Sequence, residues 1–482
     1  MAHSSLLTQK RNSNYHLVKP IVRAFALGYL SSTVPRIIPF TRRLRDKNIS
    51  WQQKLRELIR ILTYALRLNG FPTACATLVG GSAILPVLWR NWCDRAPPSS
   101  RKLVSVNSDR LVRFTSSLLS SLIAFQLLNK KSPRLHDPHS GLSRQNASAA
   151  DVQSEVIEAP QFAGRTLDLT LFTVVRAVDV ISCLAWAHWC HRRKTQKRWT
   201  FIEAVLPELS DAGVFAASSA VVMWAWFYLP DRLPNSYAKW IGEVARVDMR
   251  LIEALRRARE GIFVYGKDTG QAPLLESMCK DYGWPVEWGD PVKTIPIPCE
   301  MVHMGCGPSC ERHAVFRFAT TFAFACATYI PLQIVFRLRG KKSLSTFTGA
   351  VKDAVRSSSF LAAFVSIFYY SVCLARTRVG PKILDSKIVT PMMWDSGLCV
   401  GAGCLMCGWS ILAESARKRQ EISLFVAPRA AATILPRVYE KKYLYRERAA
   451  FAIAAAILMT TLQERPSMVR GVFGKICSRI LS

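Results

Sequence analysis

The chain has 482 residues, 50% of them hydrophobic, and carries 65 lysines and arginines against 33 aspartates and glutamates, a formal net charge of +32. A soluble protein this basic spreads its charge over its surface to meet nucleic acid, whereas here the charges gather between long uncharged runs. The composition therefore excludes a nucleic-acid partner and favours a protein that crosses a membrane. The alternative is a large soluble α-helical protein with buried helices.

Uncharged runs occur along most of the chain. Crossing the hydrocarbon takes about 20 apolar residues. Runs of nearly that length contain no Asp, Glu, Lys or Arg at residues 71–89, 212–230, 318–336 and 357–375. Shorter or interrupted runs lie at residues 114–129, 166–190, 396–413, 422–436 and 449–463. The predicted fold class is all-α, a polytopic membrane helical bundle with eight to ten membrane elements.

The chain also contains an internal duplication. Five segments recur in the same order, pairing residues 33–40 with 329–336, 65–74 with 354–363, 116–122 with 396–402, 168–177 with 421–430 and 215–223 with 451–459. An ordered series of this kind predicts two related halves of about five helical elements each. The halves are inverted if all five elements of each cross the bilayer, and parallel if the first element lies on the surface.

This pattern divides the chain into four parts. A polar N-terminal tail covers residues 1–16, and the first membrane repeat covers 17–245, with a disordered loop inserted at 130–164. An amphipathic and cysteine-rich linker follows at 246–312, and the second repeat covers 313–482. Within the linker, residues 247–259 have apolar positions at helical spacing, which predicts an amphipathic helix on the membrane surface or against the bundle.

The linker carries the densest group of soft metal ligands. Cys299, His303, Cys310 and His313 lie within one short segment, with spacings that can converge on a tetrahedral zinc ion. Glycines between the two pairs supply a turn that would bring them together. Zinc is therefore the candidate cofactor. The alternative is a reduced loop whose cysteines and histidines pack the start of the next helix, because the usual longer finger between ligand pairs is missing.

Charged residues inside apolar runs are costly and mark functional candidates. Arg176 and Arg429 occupy equivalent places in the two repeats, each with an acid eight residues earlier, Asp168 or Glu421. Either the two arginines face a shared polar cavity that contacts an anionic head group, or each snorkels to phosphate at the interface. Asp395, just before its run, is a further intramembrane polar candidate.

Small residues mark one predicted helix–helix contact. Gly397, Gly401 and Gly403 lie near or at four-residue spacing in a cysteine-containing apolar run. Such residues let helices approach closely in lipid, so this segment is predicted to pack rather than to bind metal.

The sequence resembles the transmembrane protein 135 family, particularly its fungal members. The resemblance lies in the block from Cys299 to His313, in the segment from Tyr370 to Arg378, and in residues 395–403, 425–430 and 439–447. It covers most of residues 245–482 and, through the repeat, the first half loosely. It implies a multi-pass protein of peroxisomes or mitochondria linked to organelle dynamics and lipid handling. It also implies distant similarity to the mitochondrial inner-membrane translocase and peroxisomal membrane protein superfamily.

These observations predict a non-enzymatic organellar membrane protein that moves or organises lipids or small solutes. The chain has no HExxH, GxSxG or GxGxxG motif. The alternative is a scaffold or tether whose basic loops bind anionic lipids or partner proteins. Expected partners are membrane lipids with anionic head groups, with a second copy of the chain or other organelle proteins as further candidates.

Overall fold

The computed structural model describes residues 2–44, 50–95, 106–130, 162–164, 166–197, 200–338, 344–385, 388–436 and 439–481. Almost all of these residues are helical, so the predicted all-α polytopic bundle is confirmed. Most of the insertion predicted at 130–164 lies outside the described residues.

The α-helices are numbered here in chain order. They are α1 (Ala2–Leu44), α2 (Trp51–Ala65), α3 (Phe71–Arg95), α4 (Val106–Asn129), α5 (Leu167–Thr195), α6 (Phe201–Tyr228), α7 (Asn235–Ala245), α8 (Met249–Arg259), α9 (Ala272–Tyr282), α10 (Cys299–His303), α11 (Cys310–Leu338), α12 (Leu344–Cys373), α13 (Gly380–Ile383), α14 (Pro391–Met393), α15 (Cys399–Cys407), α16 (Ala416–Ile434), α17 (Leu444–Glu464) and α18 (Gly471–Leu481).

Shorter elements join these helices. Two π-helical segments, Leu374–Arg378 and Trp394–Leu398, follow α12 and precede α15. Short 3₁₀-helical segments cover Pro230–Arg232, Val286–Gly289, Gly408–Ala413, Lys441–Tyr443 and Pro466–Met468. Two short strands, β1 (Phe162–Ala163) and β2 (Tyr439–Glu440), pair antiparallel with Phe162 opposite Glu440.

Seven helical segments among the described residues are long and apolar enough to cross a membrane: Phe71–Trp92, Asp109–Asn129, Leu167–Thr195, Phe201–Tyr228, Cys310–Val335, Phe347–Arg378 and Pro391–Ala413. The chain is therefore an integral membrane protein with several spans. The runs at 422–436 and 449–463 also form helices, α16 and α17, which are not among these seven.

The chain folds into two compact units. The terminal unit consists of Met1–Lys197 and Arg437–Ser482, and the central unit consists of Arg198–Pro436. In the terminal unit α1 packs on α3, α3 on α4, α4 on α17 and α17 on α5. In the central unit α11 packs on α12, α12 on α15, α15 on α6 and α6 on α16.

The two units follow the same packing order, element by element, once the predicted repeats are aligned. The fifth elements are exchanged: α6 closes the first predicted half but packs in the central unit, and α17 closes the second half but packs in the terminal unit. The compact units therefore cut the chain differently from the predicted boundaries at 17–245 and 313–482. The sequence relation between the halves remains a prediction.

The predicted linker folds into a module with its own apolar core. Side chains from α8, the loop after it, α9, and α10 with the residues just before it are buried together, namely Leu251, Ala254, Ala258, Phe263, Leu275, Met278, Cys279, Ile297 and Met301. The amphipathic helix predicted at 247–259 is α8, and it lies against the bundle. The Arg256 guanidinium donates hydrogen bonds to the carbonyl oxygens of Trp226, at 3.0 Å, and Phe227 at the end of α6.

Close packing at α15 depends on its glycines to different degrees. A Cβ added to Gly403 would lie 2.8 Å from the Phe368 ring and 2.9 Å from Val372 of α12, whereas one added to Gly401 would meet Trp224 at an ordinary 3.7 Å. Gly397 has a φ of +154° and its Cβ position is 2.9 Å from the Arg259 guanidinium.

We expect Gly403→Ala to destabilise the protein in detergent, because the added methyl group overpacks the α12–α15 contact. Overpacking of this kind lowers the free energy of unfolding by about 1–3 kcal/mol. Gly401→Ala is the matched control on the same helix. It should be neutral or slightly stabilising, because alanine favours a helix over glycine by about 1 kcal/mol. Thermal unfolding of both variants tests this, and equal melting temperatures would contradict the close contact at Gly403.

Candidate metal centre

Four potential metal ligands converge in the central unit. The Sγ atoms of Cys299, Cys310 and Cys373 and a ring nitrogen of His303 all lie within 4.8 Å of one another. Three of the four side chains are buried, and Cys299 is half-buried. Tetrahedral zinc with bonds of about 2.3 Å to sulfur places its ligand atoms about 3.8 Å apart, so a small inward movement completes such a site.

The local backbone explains why the first three ligands meet. Helix α10 is a single turn that places Cys299 and His303 on one side, four residues apart. The chain then reverses through positive φ values at Met304, Gly305 and Gly307, which are 49°, 84° and 88°. Glycine adopts this region without steric cost. The reversal brings Cys310, the first residue of α11, back against α10.

His303 is oriented as a ligand. Its Nδ1 lies 2.7 Å from the carbonyl oxygen of Gly307. A carbonyl oxygen only accepts hydrogen bonds, so Nδ1 carries the proton and Nε2 keeps its lone pair. That Nε2 atom lies 3.5 Å from the Cys373 sulfur. A backbone carbonyl that fixes the tautomer in this way is a common outer partner of metal-binding histidines.

The electrostatics of the cluster favour thiolate at Cys299. Hydrogen bonding with Cys373, together with the nearby charge of Arg376, lowers the pKa of the Cys299 thiol below its ordinary value. Thiolate is the form of cysteine that binds metal. Three thiolates and one neutral imidazole around Zn²⁺ would leave a net charge of −1.

The ligand set differs from the sequence prediction in one member, because Cys373 stands where His313 was predicted. The His313 ring stacks on the His303 ring at a centroid distance of 4.6 Å and meets the edge of Tyr369 at 5.2 Å. It is fully buried beside the cluster. Cys373 ends α12, inside the uncharged run at residues 357–375. Only the packing of α12 on α11 brings it to the other three ligands.

No protein-family model, curated protein or solved structure matches this chain.

Asp395, predicted as an intramembrane polar residue, forms a buried ion pair with Arg376. Its carboxylate lies 2.5 Å from Nε of Arg376 and accepts a hydrogen bond from the same guanidinium at 2.7 Å. Both residues sit in the π-helical segments Leu374–Arg378 and Trp394–Leu398, a geometry that is frequent at functional sites. The Tyr265 hydroxyl of the linker module also donates to Asp395. The pair therefore joins two spans and the module, three residues after Cys373.

The two arginines predicted to share a cavity lie in different compact units. Arg176, in the terminal unit, is buried, and Asp168 is exposed. The Arg176 guanidinium lies 5.3 Å from the centroid of the Phe172 ring and 5.4 Å from that of the Phe473 ring. It donates a hydrogen bond to the carbonyl oxygen of Arg470 at 3.4 Å.

Arg429 and Glu421 of the central unit are both half-buried. Burial raises the pKa of the Tyr237 hydroxyl, and the nearby charge of Arg429 opposes that rise. A cavity shared by Arg176 and Arg429 remains a prediction.

The central unit also contains an apolar cavity of about 310 Å³. Its walls come from α6, α7, α11, α12 and α16, and among the described residues that line it none is charged. Aromatic and aliphatic side chains dominate, including Phe215, Val222, Phe364 and Phe368. Two of the polar groups are already bonded: the Tyr369 hydroxyl donates to the Ala245 carbonyl at 3.0 Å, and the Trp226 indole donates to the Ala238 carbonyl at 3.1 Å.

Proposed function

We propose that this chain is a non-enzymatic integral membrane protein of peroxisomes or mitochondria that moves or organises lipids, and that it belongs to the transmembrane protein 135 family. The apolar cavity of the central unit is the observation that carries the proposal. Its volume falls at the lower end of the range of about 300–1,000 Å³ that is usual for ligand pockets. A cavity with uncharged walls inside a membrane bundle suits a lipid acyl chain.

Filling the cavity should displace that chain. Val222 of α6 is 3% exposed and lines the cavity, whereas Val214 on the same helix is 44% exposed. We expect Val222→Trp to lower the amount of co-purified lipid at least twofold, and to lower lipid transfer between vesicles after reconstitution. Native mass spectrometry and a fluorescent-lipid transfer assay measure the two effects.

Val214→Trp is the matched control, because it adds the same side chain at an exposed position of the same helix outside the cavity. It should leave lipid occupancy and transfer unchanged. A smaller substitution, Val222→Phe, guards against misfolding by overpacking. Lipid occupancy equal to wild type in a folded Val222→Trp variant would contradict the proposal.

The four-ligand cluster supports a structural zinc ion as part of the same proposal. A set of three cysteines and one histidine is a common closed zinc site, in which all four positions belong to the protein. Zinc bound there would tie α10 and the start of α11 to the end of α12, and so hold the linker module on the bundle. It would supply rigidity and no open coordination position for chemistry.

A membrane scaffold is the second candidate function, and helix α2 favours it. Trp51, Leu55 and Ile59 are all about half or more exposed, at 71%, 47% and 51%, and basic residues such as Lys54 and Arg56 alternate with them. A basic amphipathic helix of this kind lies in the interface and binds anionic lipid. A scaffold would bind vesicles without transferring lipid, and Val222→Trp would not alter it.

A further inference from the structure

A second cavity, of about 270 Å³, lies in the terminal unit at the level where several helices begin or end. Three candidate spans begin or end beside this cavity. Phe71–Trp92 and Leu167–Thr195 begin there, and Asp109–Asn129 ends there. Span ends lie at the depth of the lipid head groups. The cavity therefore lies in the polar interface of the bilayer.

Three cationic side chains line this cavity. Arg36 comes from α1, Arg67 from the turn between α2 and α3, and Lys130 follows α4. Among the described residues that line it, none is acidic. Cationic side chains gathered around one cavity attract an anionic ligand. The Glu447 carboxylate lies behind Thr166, from which it accepts a hydrogen bond at 2.5 Å.

The two arginines are held in place by one aromatic ring. The guanidinium carbons of Arg36 and Arg67 lie 4.0 Å and 4.9 Å from the centroid of the Tyr64 ring. Stacking of this kind restrains a flexible arginine. Planar guanidinium groups recognise phosphate oxygens in pairs of hydrogen bonds. The arrangement is thus organised for a phosphate group before any ligand binds.

The backbone adds to this recognition. Gly70 precedes α3, and a Cβ there would lie 2.7 Å from the Arg67 carbonyl oxygen and 3.0 Å from that of Ala65. The tight turn therefore requires glycine, and it aims the first turn of a 25-residue helix at the cavity. The amino end of a helix carries partial positive charge and attracts anions. Arg67 is also one of the residues in the duplicated segments 65–74 and 354–363.

The rest of the wall is apolar, with Phe71, Pro72, Leu128 and Leu169. Leu66 and Leu68, on either side of Arg67, are 54% and 78% exposed. Apolar side chains around a cationic centre suit a ligand whose phosphate continues into a glycerol and acyl region. We propose that this cavity binds the phosphate head group of an anionic membrane lipid. The inference rests on the proposed function as a lipid-handling protein, of which it names the lipid class.

The test uses the full-length protein in nanodiscs of phosphatidylcholine with and without phosphatidic acid or phosphatidylinositol. Binding of the anionic lipid is measured by native mass spectrometry and by fluorescent-lipid titration. Arg36→Gln/Arg67→Gln should weaken anionic-lipid binding on the order of 10-fold or more, because each guanidinium supplies charge-assisted hydrogen bonds. Phosphatidylcholine content should not change.

The control is Arg192→Gln/Lys194→Gln at the end of α5, which removes the same net charge outside the cavity and should change binding less than about 2-fold. Equal losses in both double variants would overturn the proposal, because binding would then be surface attraction only. Competition by millimolar inorganic phosphate that abolishes lipid binding would also overturn it, in favour of a soluble phosphate ligand.

Occupancy of the central cavity separates this inference from the proposed function. Acyl-chain lipid at the central cavity that is sensitive to Val222→Trp and insensitive to Arg36→Gln/Arg67→Gln, together with an unchanged melting temperature, shows that the double variant is folded. If lipid still binds at the central cavity while anionic lipid binds both double variants equally, the head-group site is contradicted and the proposed lipid-handling function is not. If neither site binds lipid, the lipid-handling function fails as well.

Discussion

Purified protein should contain one zinc ion per chain, and Cys373→Ser should remove it. A serine hydroxyl at this buried position is a poor zinc ligand, and one lost ligand of four costs more affinity than the roughly 10- to 100-fold loss from an outer-shell partner. The variant should also unfold at a lower temperature, because zinc then no longer ties the end of α12 to α10 and α11. Elemental analysis by mass spectrometry gives the zinc content, and thermal unfolding in detergent gives the stability.

Two variants make this result specific. Cys404→Ser replaces a cysteine that is 2% exposed, comparable with the 1% of Cys373, but belongs to α15 outside the cluster. It should keep the zinc. His313→Gln should also keep it, because His313 stacks on His303 and is not among the converging ligands. Loss of zinc in His313→Gln with retention in Cys373→Ser would favour the ligand set inferred from the sequence.

A disulfide is the competing fate of three adjacent cysteines. Intact-mass measurement of the freshly purified chain, alkylated with and without prior reduction, distinguishes a disulfide from a zinc site. Zinc at one per chain with Cys299, Cys310 and Cys373 all alkylated after chelation supports the metal centre. A two-dalton mass deficit with no zinc would contradict it.

The helical framework was predictable because the thickness of the bilayer's hydrocarbon core sets the length of the apolar runs that cross it. Residues 71–89 and 212–230 lie within α3 and at the end of α6. Other elements lacked so clear a signal. The linker was predicted as an amphipathic helix and a cysteine-rich loop, yet it has an apolar core of its own, because its buried residues are spread over several short segments. The exchange of α6 and α17 between units also follows from packing that no local pattern records.

The candidate site was predictable where its residues are neighbours in sequence. Cys299, His303 and Cys310 were identified from their spacing and the glycine turn between them. Cys373 and Arg376 were missed, because each acts through a partner on another element. The signal that could have found them is their position beside each other at the end of one apolar run. An arginine there needs a carboxylate, and Asp395 was already known from its own run.

The largest effect on stability outside the metal centre should come from Asp395→Asn. The Arg376 and Asp395 side chains are only 3% and 2% exposed, so the substitution leaves a guanidinium buried without its counter-ion. Breaking a buried pair at one partner costs about 3–5 kcal/mol. We expect the apparent melting temperature in detergent to fall by on the order of 10 °C. The Tyr265 hydroxyl would also lose its charged acceptor, so the linker module should become more sensitive to protease.

The neighbouring pair between Arg378 and Glu311 provides the control, because its side chains are 51% and 49% exposed. Glu311→Gln should leave the melting temperature close to that of the wild type, since exposed pairs are screened by solvent. Arg376→Met/Asp395→Leu should recover much of the stability lost in Asp395→Asn, because apolar residues of similar volume replace a buried pair with little penalty. If Asp395→Asn has the same melting temperature as Glu311→Gln, the buried pair does not hold the two π-helical segments together. If the double variant is as unstable as Asp395→Asn, the loss comes from altered packing at these positions, because removal of both charges would otherwise have relieved it.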